Sequence, residues 1–167
     1  MLRTGRSFWH ALAALLVMPG TVAFLVPWLL RPTGTPFDVA GSAPIGLGLG
    51  LLLWCVRDFH VAGRGSLAPW APPERLVVVG LYRVTRNPMY VAVVLILVGW
   101  ALAFRAPRLW IYAGAVAVAF HLRVVLGEEP WLARRYGARW VAYRASVPRW
   151  LVPSHRMRAG RASRGAG

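Results

Sequence analysis

The stretch Gly80-Leu81-Tyr82-Arg83-Val84-Thr85-Arg86-Asn87-Pro88-Met89-Tyr90 collects polar residues where a long loop turns back into an apolar segment. Pro88 has no backbone N–H and suits the first position of a helix. The residue before a proline is driven out of the helical region, so Asn87 is a natural N-cap. A helix therefore begins here and runs through Met89–Phe104. Its start carries unpaired N–H groups and a partial positive charge. Arg83 and Arg86 stand beside it. The chemistry this suits is anion binding at a membrane surface, with Tyr82 and Tyr90 as aromatic walls. The same residues would also make a plain helix cap whose arginines meet lipid phosphates.

Glu128 and Glu129 form the second candidate. They sit side by side at the C-terminal end of an apolar helix, where the dipole is negative, and face an anionic leaflet. Both placements are unfavourable, so a cationic partner is expected. It could be Arg134 or Arg135 in an interfacial lattice, or a cationic or hydroxyl-bearing ligand. Arg123 lies five residues earlier, about 140° round an α-helix, and is not Glu128's automatic partner. His121, seven residues earlier, shares nearly one face with Glu128. An anion-binding helix start and a carboxylate pair on one side of a membrane suit a small zwitterion that also carries a sugar. S-adenosylmethionine has that set of groups, with a purine for the apolar and aromatic walls.

The elements that must position these residues are membrane helices. The chain has 167 residues, 57% hydrophobic and 15% charged, with the apolar residues in long runs, which is one domain's worth of a membrane protein. The net charge is +15 and every basic residue is arginine. Arginines that flank apolar spans are explained by topology, so no nucleic-acid partner is expected. The lone Cys55 permits no internal disulfide or metal cluster and reads as a small buried hydrophobe.

In chain order, Phe8–Leu30 is a first span, retained rather than cleaved as a signal peptide, with Pro19-Gly20 and Pro27 expected to kink it or end it early. Ala43–Val56 is the second, extending towards His60. Its Gly46, Gly48 and Gly50 lack the strand and βαβ setting of a dinucleotide fingerprint and read as close helix packing. Arg57, Asp58 and His60 crowd its end; such groups at membrane depth are functional suspects unless they lie at the interface. Val61–Val79 is a Gly- and Pro-rich loop. Met89–Phe104, short for a clean crossing, and Leu109–Leu126 form an antiparallel hairpin through Arg105-Ala106-Pro107-Arg108. The fourth span is expected to end at Gly127-Glu128-Glu129-Pro130. In Trp131–Trp150, the residues Leu132, Tyr136, Trp140, Tyr143 and Val147 recur at helical spacing, with Arg134, Arg135 and Arg139 on another face. That pattern reads as an amphipathic helix lying on the membrane and ended by Pro148 and Pro153. The expected architecture is thus all-α, a polytopic membrane bundle of about four transmembrane helices plus a C-terminal interfacial helix. Residues 1–153 make a single domain and 154–167 a disordered basic tail.

Most of the arginines fall on the side that holds both termini and the long loop. Only Arg31, Arg105 and Arg108 fall on the other. The positive-inside rule then puts both termini, the Gly80–Tyr90 stretch and the Glu pair on the cytoplasmic side of the inner membrane.

Gly80-Leu81-Tyr82-Arg83 followed by Arg86-Asn87-Pro88-Met89-Tyr90 resembles the Gly-x-Tyr…Arg-His-Pro-x-Tyr signature of the isoprenylcysteine carboxyl methyltransferases, a family related to the membrane phospholipid methyltransferases. Glu128-Glu129-x-x-Leu132-x-x-x-Tyr136-Gly137, then Tyr143 and Val147-Pro148, is similar to that family's second block. Gly63-Arg64-Gly65-Ser66…Pro69 looks like its bacterial branch. The resemblance covers roughly Trp54 to Pro153. It implies an S-adenosylmethionine-dependent methyltransferase acting on a lipophilic small molecule or lipid, in contact with membrane lipids. By that resemblance Asn87, Pro88, Met89 and Tyr90 would line the cofactor pocket, with Gly80 and Tyr82 beside them. Glu128 or Glu129 would hold the cofactor, and Trp100 would join the apolar wall. Arg86 and Arg123 would face the methyl acceptor. Asn87 stands where the family usually has histidine, so no role that needs an imidazole carries over.

Two other readings compete. Membrane sterol reductases, which bind NADPH, have a similar C-terminal half with Arg-x-Pro-x-Tyr and Tyr-Gly…Val-Pro blocks, but this chain leaves little room for a sterol pocket. A non-enzymatic membrane scaffold would use the arginines to grip anionic lipids or a partner.

Overall fold

Glycine sets the distance between the two central helices. The computed structural model describes residues 19–62 and 76–151, with backbone alone for 59–62. Its helices are α1 (Thr21–Leu30), α2 (Ser42–Ala62), α3 (Pro88–Phe104), α4 (Pro107–Tyr136) and α5 (Ala138–Ser146). A 3₁₀ turn, Gly80–Arg83, precedes α3. No strand occurs among the described residues. A Cβ added to Gly48 would lie 2.7 Å from the Ala92 carbonyl oxygen, and one on Gly99 2.8 Å from that of Gly41. The backbones of α2 and α3 therefore touch, which is how helices associate where lipid removes the hydrophobic drive. Gly46 and Gly50 meet nothing; of the glycine series in α2, Gly48 does the packing.

Around that contact α1 and α4 close the bundle. Ala23, Leu52, Ala92, Val93, Ile96, Leu97 and Ala113, drawn from all four helices, form the central cluster. At one end Asp38 joins α2 to the α3–α4 turn. Its N–H donates to the Ala103 carbonyl at 2.8 Å, and its carboxylate accepts from Ala40 N–H at 2.9 Å and from Arg105 Nε at 3.1 Å. Arg105 takes a left-handed φ of 47°, which ends α3 and allows the tight return into Pro107. The antiparallel hairpin is as expected.

Among the described residues two helices are long and apolar enough to cross a membrane: Val39–Asp58, with 20 residues, and Pro107–Tyr136, with 30. Thr21–Leu30 and Pro88–Phe104 are apolar but shorter. The expected residues before Pro19, most of the Val61–Val79 loop, the His60 side chain and the 154–167 tail lie outside the described residues.

Both Pro27, expected to kink its helix or end it early, and Pro130, expected to end its span, lie inside helices that continue past them; α4 runs through Gly127-Glu128-Glu129-Pro130 to Tyr136. The reason is the same in both places. A wide five-residue turn precedes each proline, Thr21–Leu25 and Val124–Glu128. There Val26 N–H reaches the Thr21 carbonyl, and Glu129 N–H reaches that of Val124. A proline inside a regular α-helix strikes the carbonyl four residues back and leaves it unpaired. Widening the preceding turn relieves the clash. Near Pro27 the Val22 carbonyl then accepts the Tyr112 hydroxyl at 3.0 Å.

The C-terminal amphipathic helix also differs from expectation. Trp131–Trp150 is not one helix: Gly137, at φ 51°, breaks it into the end of α4 and the short α5. Its apolar face does not lie on the membrane. Trp140, Tyr143 and Val147 are buried, with Leu76, Leu132 and Tyr136 against them. The left-handed turn folds that face back onto the chain's own loop.

Candidate functional site

Pro88 opens α3 and is buried, as its missing N–H allows, with Asn87 in the N-cap position. The Asn87 side chain makes no cap bond to its own helix. Its Nδ2 donates instead to the Arg149 carbonyl at 3.0 Å, which also accepts the Thr85 hydroxyl at 3.0 Å. Arg86 N–H donates to the Pro148 carbonyl at 2.9 Å. Pro148 has ended the preceding helix, so these carbonyls lack helical donors and the Thr85–Asn87 segment supplies them. Pro148–Trp150 is thus strapped across the start of α3.

Side chains lock the same strap. Glu129 accepts from Arg86 Nη1 at 2.9 Å, and from Arg149 through Nε at 2.7 Å and Nη2 at 2.8 Å. The Arg86 and Glu129 side chains are 9% and 10% exposed, so this is a buried ion pair held by a third member. Burial pulls the Arg86 guanidinium below its ordinary range against the pull of Glu129, and the hydrogen bonds that Arg149 donates to Glu129 raise Arg149. Both stay charged, as arginines do. Arg86 also lies 5.4 Å over the Trp140 ring. The Tyr143 hydroxyl donates to the Tyr82 carbonyl at 2.7 Å, and burial pushes Tyr143 up to about 12.

Glu128 serves a different set. Its Oε1 accepts from the Tyr90 hydroxyl and, at 2.9 Å, from Arg123 Nε, which also donates to the Tyr90 oxygen at 3.1 Å. Among the described residues hydrogen bonds reach only Oε1 of this half-buried carboxylate. The Tyr90 ring packs on Phe120 with centroids 4.4 Å apart. The Arg123–Glu128 pair corrects the expectation from α-helical spacing. Val124–Glu128 is the wide turn, in which a residue and its fifth neighbour come into line, so Arg123 meets Glu128. The Glu pair is met by Arg86, Arg149 and Arg123 rather than by Arg134 or Arg135. His121 does not share Glu128's partners; its Nδ1 accepts from Trp150 Nε1 at 3.2 Å.

The structure thus brings Arg86, Asn87, Pro88, Tyr90, Arg123, Glu128 and Glu129 to one end of the bundle. Tyr82 is buried beside them with Cys55 and Val77, and Met89 packs on that cluster. Gly80 takes φ 53° and lies over the carboxylate of Asp58. Arg83 is exposed and turns away, its Nε donating to the Val78 carbonyl at 3.4 Å. Trp100 stands apart. It stacks on Phe104, meets Trp28 edge-on, and borders a groove of about 570 Å³ with Phe24 and Leu25. Sequence reasoning missed Thr85, Trp140 and Arg149. The signal for Arg149 was its place straight after Val147-Pro148, where a helix must stop and expose carbonyls.

The family model for phospholipid methyltransferases matches residues 37–139. No curated protein and no solved structure matches the chain. The matched span contains the joined α2–α3 pair, the Gly80–Tyr90 stretch and both glutamates, and it covers more than half of the chain. The protein belongs to the phospholipid methyltransferase family, and is a membrane methyltransferase.

Proposed function

We propose that this methyltransferase uses S-adenosylmethionine, held at the strapped end of the bundle, to methylate a lipophilic acceptor. The observation that carries this is the joining of two sequence blocks at one place. Tyr90 bonds Glu128 across 38 residues, and Arg86 bonds Glu129 across 43. The donor set fits the group. Glu128 has an unengaged carboxylate oxygen for a ribose diol or an ammonium. The Tyr90 and Phe120 rings offer a wall for a purine. The start of α3 offers N–H donors to a carboxylate.

When bound, the cofactor supplies an electrophilic sulfonium methyl. The residues need only align the acceptor, exclude water and balance charge. Gly80, Tyr82, Asn87, Pro88, Met89 and Tyr90 would form the floor. Glu129 would fix Arg86 and the strap, and Glu128 would touch the cofactor. Arg86 and Arg123 would border the acceptor, each neutralised by its glutamate. Trp100 lies about 15 Å along α3 from Tyr90 by helical rise, so as an apolar wall it would serve the acceptor's chain rather than the cofactor. The acceptor enters between helices from the bilayer and the cofactor from the cytoplasm. Four crossings, with both termini on the cytoplasmic side of the inner membrane, agree with the arginine bias.

The test is equilibrium binding of labelled S-adenosylmethionine to the purified protein in detergent. Saturable binding is expected, weakened about tenfold or more by Asn87→Ala and by Glu128→Gln. Retention of NADPH without S-adenosylmethionine would overturn the reading in favour of a reductase.

A further inference from the structure

The widened turn in α4 does more than spare Pro130 a clash. In a regular α-helix a residue and its fifth neighbour stand about 140° apart. Across Val124–Glu128 they fall into line, because Glu129 N–H reaches back to the Val124 carbonyl. Two alignments follow. Arg123 Nε donates to Glu128 at 2.9 Å, and the same carboxylate accepts the Tyr90 hydroxyl. Val124 and Glu129 are both buried, so the Glu129 carboxylate points inward, where Arg86 Nη1 and Arg149 Nε donate to it at 2.9 and 2.7 Å. At constant α-helical pitch everything after Val124 would be rotated by one residue's turn, about 100°. Both glutamates would then leave their partners.

The chain supplies a local cause for the turn. Pro130 has no N–H, and in a regular helix its ring would strike the Leu126 carbonyl. The same device occurs in α1, where Thr21–Leu25 is widened before Pro27 and Val26 N–H reaches the Thr21 carbonyl. Thr21–Leu30 contains no ionisable residue, so there the wide turn aligns no ion pair.

We infer that Pro130 is a positioning residue for the strapped end. By holding the turn before it wide, it sets the rotation at which Glu128 faces Tyr90 and Arg123 while Glu129 faces Arg86 and Arg149. Its effect on ligand affinity rests on the proposed use of S-adenosylmethionine; its effect on the ion pairs does not.

The rotation can be restored by other means, which gives the test. A widened turn holds one residue more than an α-helical turn of the same reach. Removing one residue from it, with the proline replaced, leaves Arg123 and Glu128 four apart in a regular helix, where they are neighbours. Gly127 is the residue to remove, since a Cβ there would meet nothing. Three variants are compared in detergent: Pro130→Ala, Pro130→Ala with Gly127 deleted, and Pro27→Ala. Calorimetry reads S-adenosylhomocysteine affinity, and thermal melts are run with and without Glu129→Gln. Pro130→Ala is expected to weaken S-adenosylhomocysteine about tenfold or more and to abolish the fall in midpoint that Glu129→Gln causes in wild type. Deleting Gly127 from that variant is expected to return affinity to within about threefold of wild type and to restore the fall. Pro27→Ala should change neither. A proline that served stability alone would not be rescued by the loss of a second residue. Wild-type affinity, or an undiminished Glu129→Gln effect, in Pro130→Ala would overturn the inference. So would a deletion that restores neither readout, including one that fails to refold an unfolded Pro130→Ala. If S-adenosylhomocysteine does not bind folded wild type, the cofactor reading falls, and the midpoints alone decide the role of Pro130.

Discussion

Glu128 and Glu129 are neighbours in sequence with different duties, and variants should separate them. Glu129→Gln leaves Arg86 buried beside Arg149 with no counter-charge. Breaking such a pair from one side costs about 3 kcal/mol, so a clear fall in thermal midpoint in detergent is expected. Glu128→Gln disturbs a half-exposed group and should lower the midpoint little, while weakening ligand binding. Equal melting behaviour in the two variants would contradict this division. A third carboxylate acts at the far end of the bundle. The Ala40 N–H first, and then Arg105, hold Asp38 below its ordinary value of 3.8. A group depressed in the folded state stabilises fully above its unfolded value, and that share is lost as pH falls through the folded one. The acid limb of the stability profile, below about pH 4, should therefore be shallower in Asp38→Asn, as a pH series of thermal melts would show.

At the scale of elements, packing of α2 on α3 depends on particular glycines. Gly99→Ala forces a methyl against Gly41 and Ile45 and should cost roughly 2 kcal/mol. Gly46→Ala meets open space and should add roughly 0.5 kcal/mol by removing helical glycine. Denaturant titration in mixed micelles reads both signs. The start of α3 at Pro88, the α3–α4 hairpin and the gathering of the Glu pair with the Gly80–Tyr90 stretch were legible in the sequence. Proline chemistry, apolar length and uncompensated charge are local signals. The pairing of Arg123 with Glu128 was not, because one widened turn changes the phase of everything after it, and residue spacing assumes a constant pitch. The inward turn of Trp140 and Tyr143 was hidden too. Helical periodicity shows that a face is apolar, but not whether lipid or protein covers it. Gly137 decided that, as a single left-handed residue.

At the scale of the whole molecule, orientation can be read by labelling. Cysteines placed singly at Arg57 and at Arg108, in a Cys55→Ser background, should be labelled from opposite sides of sealed vesicles by an impermeant reagent. Labelling of both from one side would contradict the crossing between them. The uninterrupted run of α4 past Pro130 has a further meaning here. From Pro107 to Glu128 an α-helix rises roughly 30 Å, the thickness of a bilayer's hydrocarbon. If α4 crosses the bilayer with Pro107 at one boundary, this rod would serve as a depth gauge, holding Tyr90, Arg123 and Glu128 at the level of the other, where lipid polar heads lie. Thickening the host bilayer by a few ångströms should sink those groups towards the oil or tilt the rod. Turnover in vesicles of graded acyl length should peak at one matched thickness.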